Sequence, residues 1–267
     1  MAERPALEAV LFDAGGTLIR LDFEWMSADL AAQGLQVSAA ALRRAEVEGR
    51  RRYDASVEQG RRAPADPASQ GARPERSWTG IGDQNAYFGG MLEAAGVPRE
   101  QFPAALERFA ARQRGPGLWT RPMEGARAAL DGIGALGLQC GVVSNSDGRA
   151  RLHLADCDML RGLDVVVDSH EVGIEKPDPG IFFIARTTLG AAAPRTLFVG
   201  DIRATDEAGA RAAGLHFVLV DPYRDYAQGG TPAIAGLEQL PDFVRARFTP
   251  APRARTRDPR GPKEVTP

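Results

Sequence analysis

The chain has 267 residues, of which 43% are hydrophobic and 25% charged, and its formal net charge is −2. These proportions are those of an ordinary folded protein and exclude a disordered, collagenous or disulfide-scaffold chain. No basic field suggests nucleic acid, and no apolar run approaches the ~20 residues of a membrane span.

The first strand signal is EAVLFD (8–13), an apolar run that stops at an aspartate. No apolar signal-peptide stretch precedes it, so a cytoplasmic protein is expected. Residues 21–113 then change character. They are rich in Ala, Arg, Glu and Gln at helical spacing, without strand signals, and a Pro/Gly/Ser/Ala loop (61–77) breaks them in two. An α-helical insert is expected there.

From residue 114 strands and helices alternate. The runs CGVVSNS (140–146), LDVVVDS (163–169), TLFVGD (196–201) and HFVLVD (216–221) each end in small polar or acidic residues. Helical patterns separate them. Asp178-Pro179 reads as an N-cap followed by Pro in the first turn, and Gly190 and Gly214 as helix stops. This alternation predicts βαβ units and a parallel sheet. Residues 1–20 with 114–248 therefore form an α/β core, 21–113 a helical domain inserted into it, and the Pro- and Arg-rich 249–267 a disordered tail.

Ligands of an open parallel sheet bind beyond the carboxyl ends of its strands. Those ends carry Asp13, Ser144, Asp201 with Asp206, and, on the loop past the third strand, Lys176. Clustered carboxylates call for a divalent cation, and a carboxylate, a hydroxyl, a lysine and a cation together suit a phosphate. Lys176 and Lys263 are the only lysines among 33 basic residues. Arginine is this chain's default cation, so a lysine in an anionic site points to a need for a compact ammonium.

FDAGGTL (12–18), VVSNSDG (142–148), the lysine of EKPDP (175–179) and GDIRATDEAGARAAG (200–214) resemble, in order and spacing, the four motifs of the haloacid dehalogenase-like (HAD) hydrolase superfamily. The helical insert lies where that superfamily places its first (C1) type of cap. The patterns VxSNxDGR, VGxEKPDPxIF and GDxxxxDxxGARAAG are most similar to the HDHD3/REG-2 type. The resemblance implies a Rossmann-like three-layer sandwich with a parallel sheet plus an inserted helical cap. It implies Asp13 as a nucleophile forming an aspartyl-phosphate, Gly16, Thr17, Ser144 and Asn145 as phosphate-binding positions, and Lys176 as the charge neutralising nucleophile and phosphate. It also implies Mg²⁺ held by Asp13, the backbone carbonyl of Gly15 and Asp201, with Asp206 in the outer shell or orienting Lys176. The partner implied is a small phosphorylated substrate, with neither nucleic acid nor membrane.

The chain departs from the superfamily at Gly15. Phosphatases of this type usually carry a second aspartate there, which protonates the leaving group; such general acid catalysis is worth about 10²–10⁴-fold. Three activities accommodate glycine. One is a phosphate-ester or acyl-phosphate hydrolase whose leaving group needs no proton or whose acid comes from elsewhere, Asp22 and Glu24 being candidates. The second is a 2-haloacid dehalogenase-type hydrolase, since halide leaves unprotonated. The third is a catalytically impaired ligand-binding or interaction protein. His153, His170 and His216 show no metal-ligand spacing, Cys140 and Cys157 read as buried thiols in a reducing cytoplasm, and Trp25, Trp78 and Trp119 read as packing residues.

Overall fold

The computed structural model describes residues 4–62, 83–252, 262, 263 and 265. In chain order the elements are β1 (Ala6–Leu7), β2 (Ala9–Phe12), β3 (Ile19–Leu21), α1 (Phe23–Ala32), α2 (Ala39–Arg62), α3 (Gln84–Ala94), α4 (Phe102–Arg114) and β4 (Trp119–Pro122). There follow α5 (Ala126–Ala135), β5 (Gln139–Ser144), α6 (Ala150–Asp156), β6 (Val165–Asp168), α7 (Ser169–Val172), α8 (Pro179–Leu189), β7 (Thr196–Gly200), α9 (Ala208–Ala212), β8 (His216–Val220), β9 (Ala233–Ile234), α10 (Leu240–Arg247) and β10 (Thr249–Pro250).

The chain divides into two compact units, 1–21 with 119–267, and 22–118. In the first, a parallel sheet runs in the order β6-β5-β2-β7-β8-β9. Every residue of β2 is buried, which is why its sequence is a continuous apolar run rather than an alternation. Val10, Phe12, Val142, Val199 and Val218 pack with α5, α6 and α10 on one face. On the opposite face lies Phe198, with Phe182 of α8 edge-on at 4.9 Å between ring centroids. Burying such a ring contributes about 1.5–3 kcal/mol. The result is a three-layer α/β sandwich.

The order of strands places the site. Successive connections leave β2 towards β5 on one side and β7 on the other, so the carboxyl end of β2 is a topological switch point. Phe12 pairs with Val142 and with Val199, which brings Asp13 level with Val143 and Gly200 at the mouths of both neighbours. Short antiparallel β3 and β4 pair across the whole helical insert, a contact between distant segments that periodicity did not signal.

The second unit is helical throughout its described regular structure apart from a 3₁₀ turn at Arg99–Gln101. Asp22 caps α1 by accepting from the Trp25 amide at 3.0 Å. Phe23, Met26, Leu30, Phe88, Met91 and Phe109 form its core, with Phe88 and Phe109 edge-to-face at 5.7 Å. α2 and α3 approach closely: a Cβ on Gly49 would lie 2.6 Å from the Tyr87 carbonyl oxygen. A buried Glu46–Arg50 pair at 3.0 Å also accepts the Tyr87 hydroxyl at 2.7 Å.

Two boundaries differ from the sequence expectation. α4 runs to Arg114, and the core unit resumes at Trp119 rather than at 114. The segment expected to be disordered is held in part by backbone pairing: β10 pairs with β1, and the Lys263 amide donates to the Asp164 carbonyl at 2.9 Å. Side-chain composition does not report such edge pairing. Most of the 61–77 loop, including residues 63–77, and Trp78 lie outside the described residues. Among the described residues no helix is long and apolar enough to cross a membrane.

Candidate active site

Asp13 follows β2 and is buried; its amide donates to the Val199 carbonyl at 2.8 Å, tying it to β7. The Lys176 ammonium, 2% exposed, donates to Asp13 Oδ1 and, at 2.7 Å, to Asp206 Oδ1. It also lies 5.3 Å from the Phe198 ring centroid, an additional cation–π contact. The other oxygen of Asp206 accepts from the amides of Asp201 and Ile202, each at 3.0 Å. One carboxylate thus fixes both the ammonium and the turn that carries Asp201. Asp206 enters through a π-helical turn, Arg203–Glu207, rather than a regular first turn of α9.

Asp13, Asp201 and Asp206 are buried, and each offers an oxygen within 4.8 Å of the others. Such a set is costly unless paired or bound to a cation, and hard carboxylate oxygens suit a hard divalent cation. Gly16 makes the close approach possible. Its φ is +87°, and a Cβ there would lie 2.2 Å from Asp201 Oδ2.

Burial raises Asp13 from 3.8 to about 6; Lys176 pulls it down and Asp206 pushes it up. Burial by itself would favour a neutral Lys176, but the carboxylates of Asp13 and Asp206 outweigh it and raise its pKa. The two carboxylates thus favour the ammonium form of Lys176.

The residues at the expected phosphate positions also make contacts within the protein. The Gly16 amide donates to the Ile19 carbonyl at 2.7 Å, and the Thr17 amide to the Ala14 carbonyl at 3.3 Å, so both serve the turn itself. The Thr17 hydroxyl points to Asp201 Oδ1 at 3.4 Å. Asn145 acts through its side chain: Nδ2 donates to the Lys176 carbonyl at 3.0 Å and Oδ1 accepts from the Lys176 amide at 2.7 Å. Ser144 ends β5, buried, at the level of Ala14. Asp168 and Ser169 brace the loop after it, Asp168 accepting from Gly148 and Ala150 amides and Ser169 from Ser146.

The sequence reading did not find Asn145 as a clamp, nor the partner of Gly15. Its only signal for the bracing residues was the Asp-Ser that ends LDVVVDS. Trp119, expected only to pack, sets its indole against Gly15. Trp25 packs edge-on with Phe109 at 6.0 Å. Asp22 is committed to its cap and to Arg112 at 3.6 Å, and Glu24 is exposed in the first turn of α1. His216 contacts the Pro194 carbonyl at 3.1 Å.

The family model described as haloacid dehalogenase-like hydrolase matches residues 7–214. The chain belongs to that family. It is 31% identical over 224 residues to haloacid dehalogenase-like hydrolase domain-containing protein 3 of Bos taurus, covering 82% of this chain and 84% of that one. It is 29% identical over 226 residues to ribulose-1,5-bisphosphate 5-phosphatase of Halopiger xanaduensis, covering 80% and 84%. A solved L-2-haloacid dehalogenase shares the fold with a TM-score of 0.59 at 21% identity, covering 90% of this chain and 99% of that one. As a haloacid dehalogenase-like hydrolase, this chain is a hydrolase whose described carboxylate cluster is suited to a metal ion.

Proposed function

We propose that this hydrolase is a Mg²⁺-dependent phosphatase acting on small phosphate esters or acyl phosphates through an aspartyl-phosphate on Asp13. The observation that carries this reading is the Lys176 ammonium bound to Asp13 and Asp206, with Asp201 alongside. Similarity to a chain named as a phosphatase supports it. The Cys140 and Cys157 thiols, buried and unbridged, suit a reducing cytoplasm.

Asp13, Asp201 and the Gly15 carbonyl would hold Mg²⁺. Asp206 stays behind them, because Lys176 and two backbone amides use its oxygens. When bound, the cation offsets the charge of the phosphate beside Asp13. Lys176 lowers the repulsion between the Asp13 carboxylate and a phosphoryl group. An Asp13 oxygen bonds to phosphorus as the bond to the leaving oxygen breaks, and the leaving group carries away that electron pair. Water then attacks phosphorus, freeing inorganic phosphate and Asp13. Ser144 would hold the phosphoryl oxygens from the end of β5.

The test is hydrolysis of an aryl phosphate and an acyl phosphate with Mg²⁺ and with chelator, alongside 2-chloropropionate. Mg²⁺-dependent phosphate release, abolished in Asp13→Asn, is expected. Release of chloride without metal would replace this reading by dehalogenation.

A further inference from the structure

The run HFVLVD, which forms β8, ends in Asp221, a buried aspartate with no part in the chemistry above. Its Oδ2 accepts from the amides of Tyr226 at 3.0 Å and Ala227 at 2.9 Å, folding the loop 222–232 back on itself. Two residues of that loop, both buried between exposed stretches, reach the π-helical turn Arg203–Glu207 that carries Asp206. The Tyr226 hydroxyl accepts from the Arg203 amide at 3.1 Å, at the start of the turn. The Thr231 hydroxyl donates to Glu207 Oε1 at 2.5 Å, at its end.

Glu207 is itself buried and spans the turn. Its Oε2 accepts from Arg203 Nε at 3.0 Å, and its Oε1 from Arg211 Nε at 3.0 Å and Nη2 at 2.8 Å. Burial by itself would raise its carboxyl, but the bonds from Thr231, Arg211 and Arg203 hold it below the usual glutamate value. The turn needs such support. π-turns are rare, and the Ile202 carbonyl accepts from the Asp206 amide at 2.8 Å, as in an α-turn, and from the Glu207 amide at 3.4 Å, as in a π-turn. A change of winding here would swing Asp206 about the helix axis, away from the Lys176 ammonium and from the amides of Asp201 and Ile202.

We propose that Glu207 and Thr231 are positioning residues: by tying the π-turn to the loop after β8, they hold Asp206 where it serves both Lys176 and Asp201. Neither touches the reacting atoms; both act through Asp206. This inference rests on the phosphatase reading and extends its machinery to the loop 222–232.

The experiment compares full-length wild type, Thr231→Val, Thr231→Ser and Glu207→Gln, with Glu8→Gln as the control. Glu8 is also a buried carboxylate that accepts from an amide, of Ala192, and an arginine, Arg195, but it stands at the opposite, amino end of β2. Deuterium exchange of the Asp201 and Ile202 amides, read by NMR without metal, reports whether Asp206 still holds them. Calorimetric titration with Mg²⁺ alone reports the metal site, and the rate on an aryl phosphate is followed over Mg²⁺ concentration. Glu207→Gln should speed the exchange of both amides, weaken Mg²⁺ binding by about 10-fold and raise the Mg²⁺ concentration for half-maximal rate to match. Thr231→Val should move all three in the same direction, and Thr231→Ser, which keeps the hydroxyl, should restore them. Glu8→Gln should lower the melting temperature and change none of the three. If Glu207→Gln does not fold, Thr231→Val decides, since it leaves the carboxylate with both arginines.

Exchange and Mg²⁺ affinity at wild-type values in both variants would overturn the inference while leaving the phosphatase reading in place. So would equal losses in Glu8→Gln. Wild type that neither binds Mg²⁺ nor hydrolyses any phosphate would overturn the phosphatase reading and this inference with it.

Discussion

Asp206 grips Lys176 with one carboxylate oxygen at 2.7 Å while its other oxygen holds the turn bearing Asp201. The ammonium that faces Asp13 and the carboxylate that would share its cation are thus set by a single side chain. Asn145 holds the Lys176 backbone from the other direction.

Asp206→Asn keeps the volume and one oxygen but removes a charge from the pair. Supporting residues of this kind typically change metal affinity or activity by about 10–100-fold. We expect the Mg²⁺ concentration for half-maximal rate to rise and kcat to fall within that range. A Mg²⁺ titration of the rate checks it; an unchanged titration curve would show that Asp206 is dispensable.

In the proposed mechanism Asp13 must be ionised to attack phosphorus, and burial raises it from its ordinary 3.8 to about 6. The rate should therefore fall on the acid side of a limb near that value at low Mg²⁺. A divalent charge beside the carboxylate favours its ionised form, so saturating Mg²⁺ should move the limb to lower pH. Rate profiles at two Mg²⁺ concentrations measure the displacement, and a limb moving upward would contradict this assignment.

His153 is buried in α6, and neither ring nitrogen has a hydrogen-bond partner among the described residues. Burial, with the charge of Arg149, lowers its pKa below 6.5. The unfolded chain then binds a proton that the folded one resists. Stability is full above 6.5 and declines as pH falls from there through the folded value. His153→Leu removes both the slope and the unsatisfied polar group, whose desolvation costs about 1–3 kcal/mol. Urea unfolding at pH 7.5 and 5.5 should show the variant gaining most at the lower pH; equal effects at both would rule out titration of this ring.

The apolar runs ending in Asp13, Ser144 and Asp201 were enough to predict a parallel sheet with its chemistry at the strand ends. A strand buried on both faces must be written in apolar residues, and it stops where polar ones begin. The scarcity of lysine singled out Lys176 in the same way, from composition. What the local pattern could not carry was which distant residues meet. Strand pairing put Thr249–Pro250 against Ala6–Leu7, Asn145 turned its side-chain amide to the Lys176 backbone, and Gly16 bonded its amide to Ile19. Gly15 looked in sequence like a missing acid; only the fold shows that a Cβ there would press on the Trp119 indole. Periodicity records how deeply a residue is buried, whereas the identity of its neighbour depends on contacts between segments far apart in the chain.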